Sequence, residues 1–399
     1  MGEQREFLDH VTAIARRHGV DTAQVYEVPG GVANRAFVLG PNLFLRVSRP
    51  GFEQDLHKET QVVPIARLAG VHTPAIVDYD PTQQLIPTPY AVMQRVHGTE
   101  PRTTPTALAI QLARLHQVHP APNPSPASPA DGPTDQPAVA TADGPTGAAL
   151  GTARDAASEL LPALTLPDPT SHVRVFIPDL PLDDWGDPHR TLDDLATRGY
   201  LDPGTANWLT AWFTRLANRF DRTGPKVLIH GDVATHNLLA APDNSFRALI
   251  DWGDAAWAPP AMDFAKLPLP DVATLLPTYL HHTNHATGAI SATSTPSTSA
   301  TSNPPISATS TPPTSAGSTP STSAAPSPPA SAPRRTGPSI PEDELAAGIL
   351  WLHLSWALSK LPADPWPNQR HWTAPPTSRL LGILRFFTGT PPEPWSTLR

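Results

Sequence analysis

Three side chains carry the first chemical signal: Asp232, Asn237 and Asp251. They fall in two neighbouring runs, Val227-Leu228-Ile229-His230-Gly231-Asp232-Val233-Ala234-Thr235-His236-Asn237-Leu238-Leu239 and Ala248-Leu249-Ile250-Asp251-Trp252-Gly253-Asp254. Two carboxylates and an amide are hard oxygen ligands of the kind Mg²⁺ takes. One of the carboxylates could instead accept the proton of a hydroxyl.

Short strands must deliver these groups. Val227–Ile229 and Ala248–Ile250 are apolar runs bounded by polar and turn residues, the pattern of buried strands. A strand that stops on His-Gly-Asp hands a carboxylate to solvent at the sheet edge. Two such strand ends side by side would gather Asp232, Asn237 and Asp251 at one cleft. Each half alone also fits a hairpin with polar ends and no chemistry. Together, Asp-x-x-x-x-Asn and an Asp after the next strand match the layout of phosphoryl-transfer sites.

The upstream chain supplies possible partners. Helical spacing covers residues 4–18. Two strand-like pieces then flank Gly30 and Gly31, a turn that lets backbone amides approach a phosphate, or an ordinary hairpin. No Gly-x-x-x-x-Gly-Lys-Ser/Thr and no Gly-x-Gly-x-x-Gly occurs, which excludes a P-loop and a dinucleotide fingerprint. Residues 41–49 read as a strand carrying Arg46. Residues 53–69 read as a helix carrying Glu59 and disturbed by Pro64. Two more strands follow, at 73–79 and 89–98, and a helix over 105–119. His116 and His119 share a face of that helix, but no third zinc ligand accompanies them. Residues 151–222 read as mostly helical, and further helices are expected at 342–361 and 377–388. Aromatic stripes such as Trp208, Trp212, Phe213 and Phe220 are core by spacing. Asp183, Asp184 and Asp187 around Trp185 fit either a solvated loop or an acidic patch for a cationic substrate.

Composition narrows the class. Fifty-two of the 399 residues are Pro and none is Cys, so disulfides, thiolate chemistry and Cys-ligated zinc are excluded. Residues 121–150 and 284–340 are low in complexity and carry local repeats (Ala130-Asp-Gly-Pro-Thr with Ala142-Asp-Gly-Pro-Thr; Ile290-Ser-Ala-Thr with Ile306-Ser-Ala-Thr). Such segments bury too little apolar surface to offset chain entropy and are expected to be disordered inserts. Roughly 320 residues remain, enough for one two-lobed unit. The net charge of −8 argues against a nucleic-acid partner. No apolar run is long enough for a membrane span, and the N-terminus has no export core, so a cytoplasmic monomer is expected.

The motifs His230-Gly231-Asp232-x-x-x-x-Asn237 and Ile250-Asp251-Trp252 resemble those of the aminoglycoside phosphotransferase family. The resemblance extends over the N-terminal third and omits the two inserts. It implies an α+β protein-kinase-like fold. Residues 1–98 would form a small nucleotide-binding lobe with an antiparallel sheet. Residues 99–399 would form a larger, mainly helical catalytic and acceptor-binding lobe. It implies transfer of the γ-phosphate of ATP or GTP to a hydroxyl of a small molecule such as an aminoglycoside or macrolide. Asp232 would be the base, with Asn237 and Asp251 holding Mg²⁺. Arg46, standing where many members have Lys, would grip the nucleotide phosphates and pair with Glu59. Gly30, Gly31 and backbone groups of Gln94 to Val96 would also contact the nucleotide. His230 and Asp263 would be structural residues near the site. The family usually has Gly where this chain has His236. The competing readings are a non-catalytic nucleotide-binding regulator and a metabolic kinase of the choline or homoserine type.

Overall fold

The computed structural model describes residues 2–29, 31–121, 173–182, 186–288, 341–362, 381–382, 384–385 and 388–398. Gly30, Asp183, Asp184, Trp185, Trp366, Trp372, nearly all of both inserts and much of the expected last helix lie outside the described residues.

The first lobe opens with α1 (Gly2–Arg17). There follow β1 (Val25–Val28), β2 (Asn34–Leu39), β3 (Leu43–Ser48), α2 (Glu53–Leu68), β4 (Ile76–Asp80) and β5 (Tyr90–Gln94). The strands form one antiparallel sheet in the order β1-β2-β3-β5-β4. Alternation along β3 divides its side chains between two faces. Leu45 and Val47 join Phe37, Leu39, Tyr90 and Val92 under Val11, Ile14 and Ala15 of α1. Phe44 and Arg46 take the opposite face and line a cleft. Arg46 stands between Ala36 and Ala91 in the register, small neighbours that leave space for its guanidinium. Helix α2 runs on through Pro64 to Leu68, and its Val62, Val63 and Ala66 belong to the core of the larger lobe.

In the larger lobe α3 (Ala107–Leu115) gives way to β6 (Val118–Pro120), which pairs in parallel with β7 (Val173–Val175). The expected helix over 105–119 therefore ends early. Val118 favours strand geometry and Pro120 cannot extend a helix. Next come α4 (Pro188–Thr197) and α5 (Pro203–Ala217). Each begins with Pro in its first turn behind an Asp cap: Asp187 accepts from His189 N at 3.0 Å and Asp202 from Thr205 N at 3.0 Å. Asp187 thus caps a helix.

The central segment forms β8 (Val227–Ile229), β9 (Leu238–Ala240), β10 (Phe246–Leu249) and β11 (Ala256–Ala258). The two apolar runs of the motif, β8 and β10, do not pair with each other. β8 pairs with β11, and β10 folds back on β9. Helix α6 (Leu269–Gly288) continues past the expected start of the second insert at 284. Helix α7 (Glu342–Ser359) is buried on nearly all sides. Its Trp351 packs against Phe213 and Phe220, with ring centroids 5.7 and 6.2 Å away. That tryptophan serves the core.

Candidate active site

The site begins where β8 stops. His230 is fully buried and donates its N–H to Asp263 Oδ2 at 3.0 Å, while Gly231 donates to Asp263 Oδ1 at 2.8 Å. His116 adds a third bond to Asp263, at 3.1 Å from Nε2, and meets the Tyr279 hydroxyl at 2.8 Å through Nδ1. One buried carboxylate therefore fixes the backbone ahead of Asp232. Gly231 has φ +80°, and a Cβ there would lie 2.1 Å from the Asp254 carbonyl oxygen, so only glycine fits.

Asp232 comes next; of Asp232, Asn237 and Asp251, expected together at one cleft, only Asp251 joins Phe44 and Arg46 in lining the cleft. Asn237 Nδ2 donates to its backbone oxygen at 2.9 Å and to Oδ2 at 2.7 Å. Lys266 Nζ donates to Oδ1 at 2.7 Å. His236 Nε2 stands 3.6 Å from Oδ2 and Lys266 stands 3.9 Å from Asp254. Burial would raise the Asp232 pKa, but contacts with His236 and Lys266 outweigh it and hold the carboxyl well below the usual range. The His230 pKa is lowered as well, by a different cause: burial disfavours the charged ring and outweighs the surrounding Asp residues, which favour it. The neutral ring donates Nε2–H to Ile250 O at 3.0 Å and accepts from Asp232 N at 3.3 Å on Nδ1.

Antiparallel pairing of β9 with β10 puts the start of one beside the end of the other. Ile250 N donates to Asn237 O at 2.9 Å, which brings Asp251 next to Asn237. Asp251 has φ +70°, a conformation costing about 1–3 kcal/mol and concentrated at functional sites. Its Oδ1 accepts from Arg46 Nη2 at 2.6 Å. Arg46 Nη1 reaches both oxygens of Glu59 at 2.7 Å, joining β3, α2 and the central segment. Burial opposes charge on Arg46, yet Glu59 and Asp251 together raise its pKa. The same cation lowers Asp251 against its own burial. Trp252 packs under the turn, its ring 4.6 Å from that of His230 and its Nε1 bonded to Thr73 Oγ1 at 2.9 Å.

The cleft has a volume of about 420 Å³. Its walls include Ala36, Val38, Phe44, Met93, Leu239 and Ile250, with Arg46, Glu59 and Asp251 among its polar groups. Gly31, Gln94 and Val96 also line it. A Cβ at Gly31 would meet nothing within 4 Å, so protein crowding does not require glycine there. The Gln94 N–H is committed to Ala75 O at 2.8 Å, and Arg95 N–H to Asn42 O at 2.7 Å. Two polar groups escaped the sequence reading. Asn34 is 5% exposed, lines the cleft, and has no partner for Oδ1 among the described residues. Lys266 is the other, although the chain has only Lys58, Lys226, Lys266 and Lys360 and this one follows Asp263 by three residues.

Among the described residues no three His, Asp or Glu side chains gather as a metal-ligand cluster. The donors left open are Asn237 Oδ1, since Nδ2 is turned to Asp232, and Asp251 Oδ2. Two such oxygens fit Mg²⁺, which completes its shell with water and substrate phosphates.

The family model for the phosphotransferase enzyme family matches residues 24–293. The chain belongs to this family. It is accordingly a small-molecule phosphotransferase with a kinase-like α+β fold. No curated protein matches the chain. Among solved structures, the GDP and kanamycin complex of APH(2")-IIia is similar at 15% identity, covering 93% of this chain and 98% of that one, with a TM-score of 0.49. The macrolide 2'-phosphotransferase MphH from Brachybacterium faecium is similar at 17% identity over 71% and 89%, with a TM-score of 0.42. A choline/ethanolamine kinase family protein from Mesorhizobium loti is similar at 12% identity over 94% and 90%, with a TM-score of 0.46. Among the described residues no helix is long and apolar enough to cross a membrane.

Proposed function

We propose that this phosphotransferase moves the γ-phosphate of ATP or GTP to a hydroxyl of a small molecule, with Asp232 as the base. The observation that carries the reading is the pinned Asp232 carboxylate, 2.7 Å from Asn237 Nδ2, beside the Arg46–Asp251 ion pair. The apolar walls of the cleft suit a purine, and Gln94 O with Val96 would meet its edge. Arg46 would grip the phosphates, releasing Asp251, while Glu59 keeps the guanidinium in place. Asn237 and Asp251 would hold Mg²⁺, which neutralises charge on the phosphates when bound. Asp232 would orient the acceptor hydroxyl for in-line attack and take its proton. With the reacting groups positioned, most of the rate comes from geometry and charge neutralisation. The small lobe would end at Gly98, where a Cβ would press within 3.0 Å of Ala240 O.

The acceptor is an aminoglycoside or macrolide in this reading, with a choline-type amino alcohol as the alternative. The test incubates purified protein with Mg²⁺, ATP or GTP, and kanamycin, erythromycin or choline. Transfer to one acceptor and its loss in Asp232→Asn are expected. Undiminished transfer by that variant removes Asp232 from its role.

A further inference from the structure

We propose that Lys266 is a positioning residue for phosphoryl transfer, locking the Asp232 carboxylate in the orientation that receives the acceptor proton. This rests on the assignment of Asp232 as the base.

Geometry carries the inference. The turn Pro260–Phe264 and the residues just after it reach the loop twice. Asp263 binds its backbone through His230 N and Gly231 N. Lys266, three residues on, binds its reacting side chain through Asp232 Oδ1 at 2.7 Å. Asn237 holds the other carboxylate oxygen at 2.7 Å. With both oxygens anchored, the carboxylate cannot rotate freely, and each oxygen keeps a second lone pair for a hydroxyl. Without Lys266 the remaining contacts, Asn237 and His236, both fall on Oδ2, so Oδ1 is unanchored and the plane can swing. Precision of this kind is what proximity catalysis depends on. The lysine side chain is 19% exposed, so water competes poorly with the contact.

Charge supports the same role. Asp232, Asp251 and Asp254 crowd the place where an anionic nucleotide would approach, and Lys266 lies between Asp232 and Asp254. During transfer the acceptor O–H bond breaks and its proton passes to Asp232. The acceptor oxygen forms the new O–P bond, and the bridging P–O pair departs with the nucleoside diphosphate. Asp232 becomes neutral, and Asp254 remains as the carboxylate beside Lys266.

The experiment compares wild type, Lys266→Met, Lys266→Arg and Asp232→Asn as full chains. Release of nucleoside diphosphate from Mg²⁺-ATP and Mg²⁺-GTP is followed with kanamycin, erythromycin, choline or water as acceptor. In Lys266→Met, kcat should fall on the order of 10²-fold with nucleotide KM within about twofold. Lys266→Arg should recover kcat to within about tenfold of wild type. Loss of activity in Asp232→Asn with full kcat in Lys266→Met overturns the role of Lys266 alone. A Lys266→Arg variant no more active than Lys266→Met overturns it too. Full activity in Asp232→Asn overturns the assignment of the base instead.

Discussion

Replacing Arg46 with Met tests the junction that joins the sheet, helix α2 and the central segment. Glu59 is 2% exposed and Arg46 12%, so removing the guanidinium leaves a buried carboxyl without its counter-charge. Breaking a buried pair this way costs about 3–5 kcal/mol. The bond to Asp251 adds less, below about 1 kcal/mol, because that side chain is 46% exposed and screened by water. The melting temperature should fall on the order of 10 °C. Arg46→Met/Glu59→Leu removes the orphaned carboxyl as well and should regain most of the loss. Arg46→Lys is intermediate. One ammonium cannot place two nitrogens on Glu59 and Asp251 at once, so it keeps the buried Glu59 and loses the exposed Asp251 contact, below about 1 kcal/mol. Thermal melts followed by circular dichroism, with nucleotide absent, make the measurement. A single variant that melts within about 2 °C of wild type refutes the argument. So does a double variant no more stable than the single one.

Two further perturbations follow from the loop. Gly231→Ala combines a left-handed φ, worth about 1–2 kcal/mol, with a clash against the Asp254 carbonyl, so transfer should be lost and urea unfolding should come earlier. Wild-type turnover in that variant would show that the loop relaxes without cost. Acidification should destabilise the protein. The buried His230 stays neutral in the folded state but takes a proton when unfolded below about pH 6.5. Its contribution is therefore present above that pH and lost as the pH falls below it. Asp232, whose pKa is depressed, adds a further loss only below about pH 3.9. The urea midpoint should be lower at pH 5.5 than at pH 7.5, and equal midpoints would contradict the buried neutral ring.

Much of the site was readable because chemistry fixes spacing along the chain. Asp232 and Asn237 are five residues apart, and the Asn237 amide reaches back to the carboxylate across one short turn. The meeting of Arg46 and Glu59, 13 residues apart, was implied by the family resemblance, which sets a strand cation beside an acid on the next helix. Lys266 was missed although it touches Asp232, since 34 residues separate them and the turn at 260–264 gives no periodic signal. Asn34 carries no spacing signal that would single it out. The pairing of β8 with β11 was also out of reach, because β8 and β10 are equally apolar and either would satisfy the pattern.

The sequence by itself determined which groups exist to do the chemistry: acids and an amide at strand ends, a cation on a strand, an acid on the next helix. Through the resemblance carried by its His-Gly-Asp and Ile-Asp-Trp motifs, it also implied the kinase-like α+β class. Tertiary structure alone decided which groups meet. Arg46 finds Asp251 across 205 residues, and His116 finds Asp263 across 147. Local pattern cannot encode such contacts, since they form only when separate elements pack and their buried charges must be matched. The Lys266 clamp on Asp232 is of that kind.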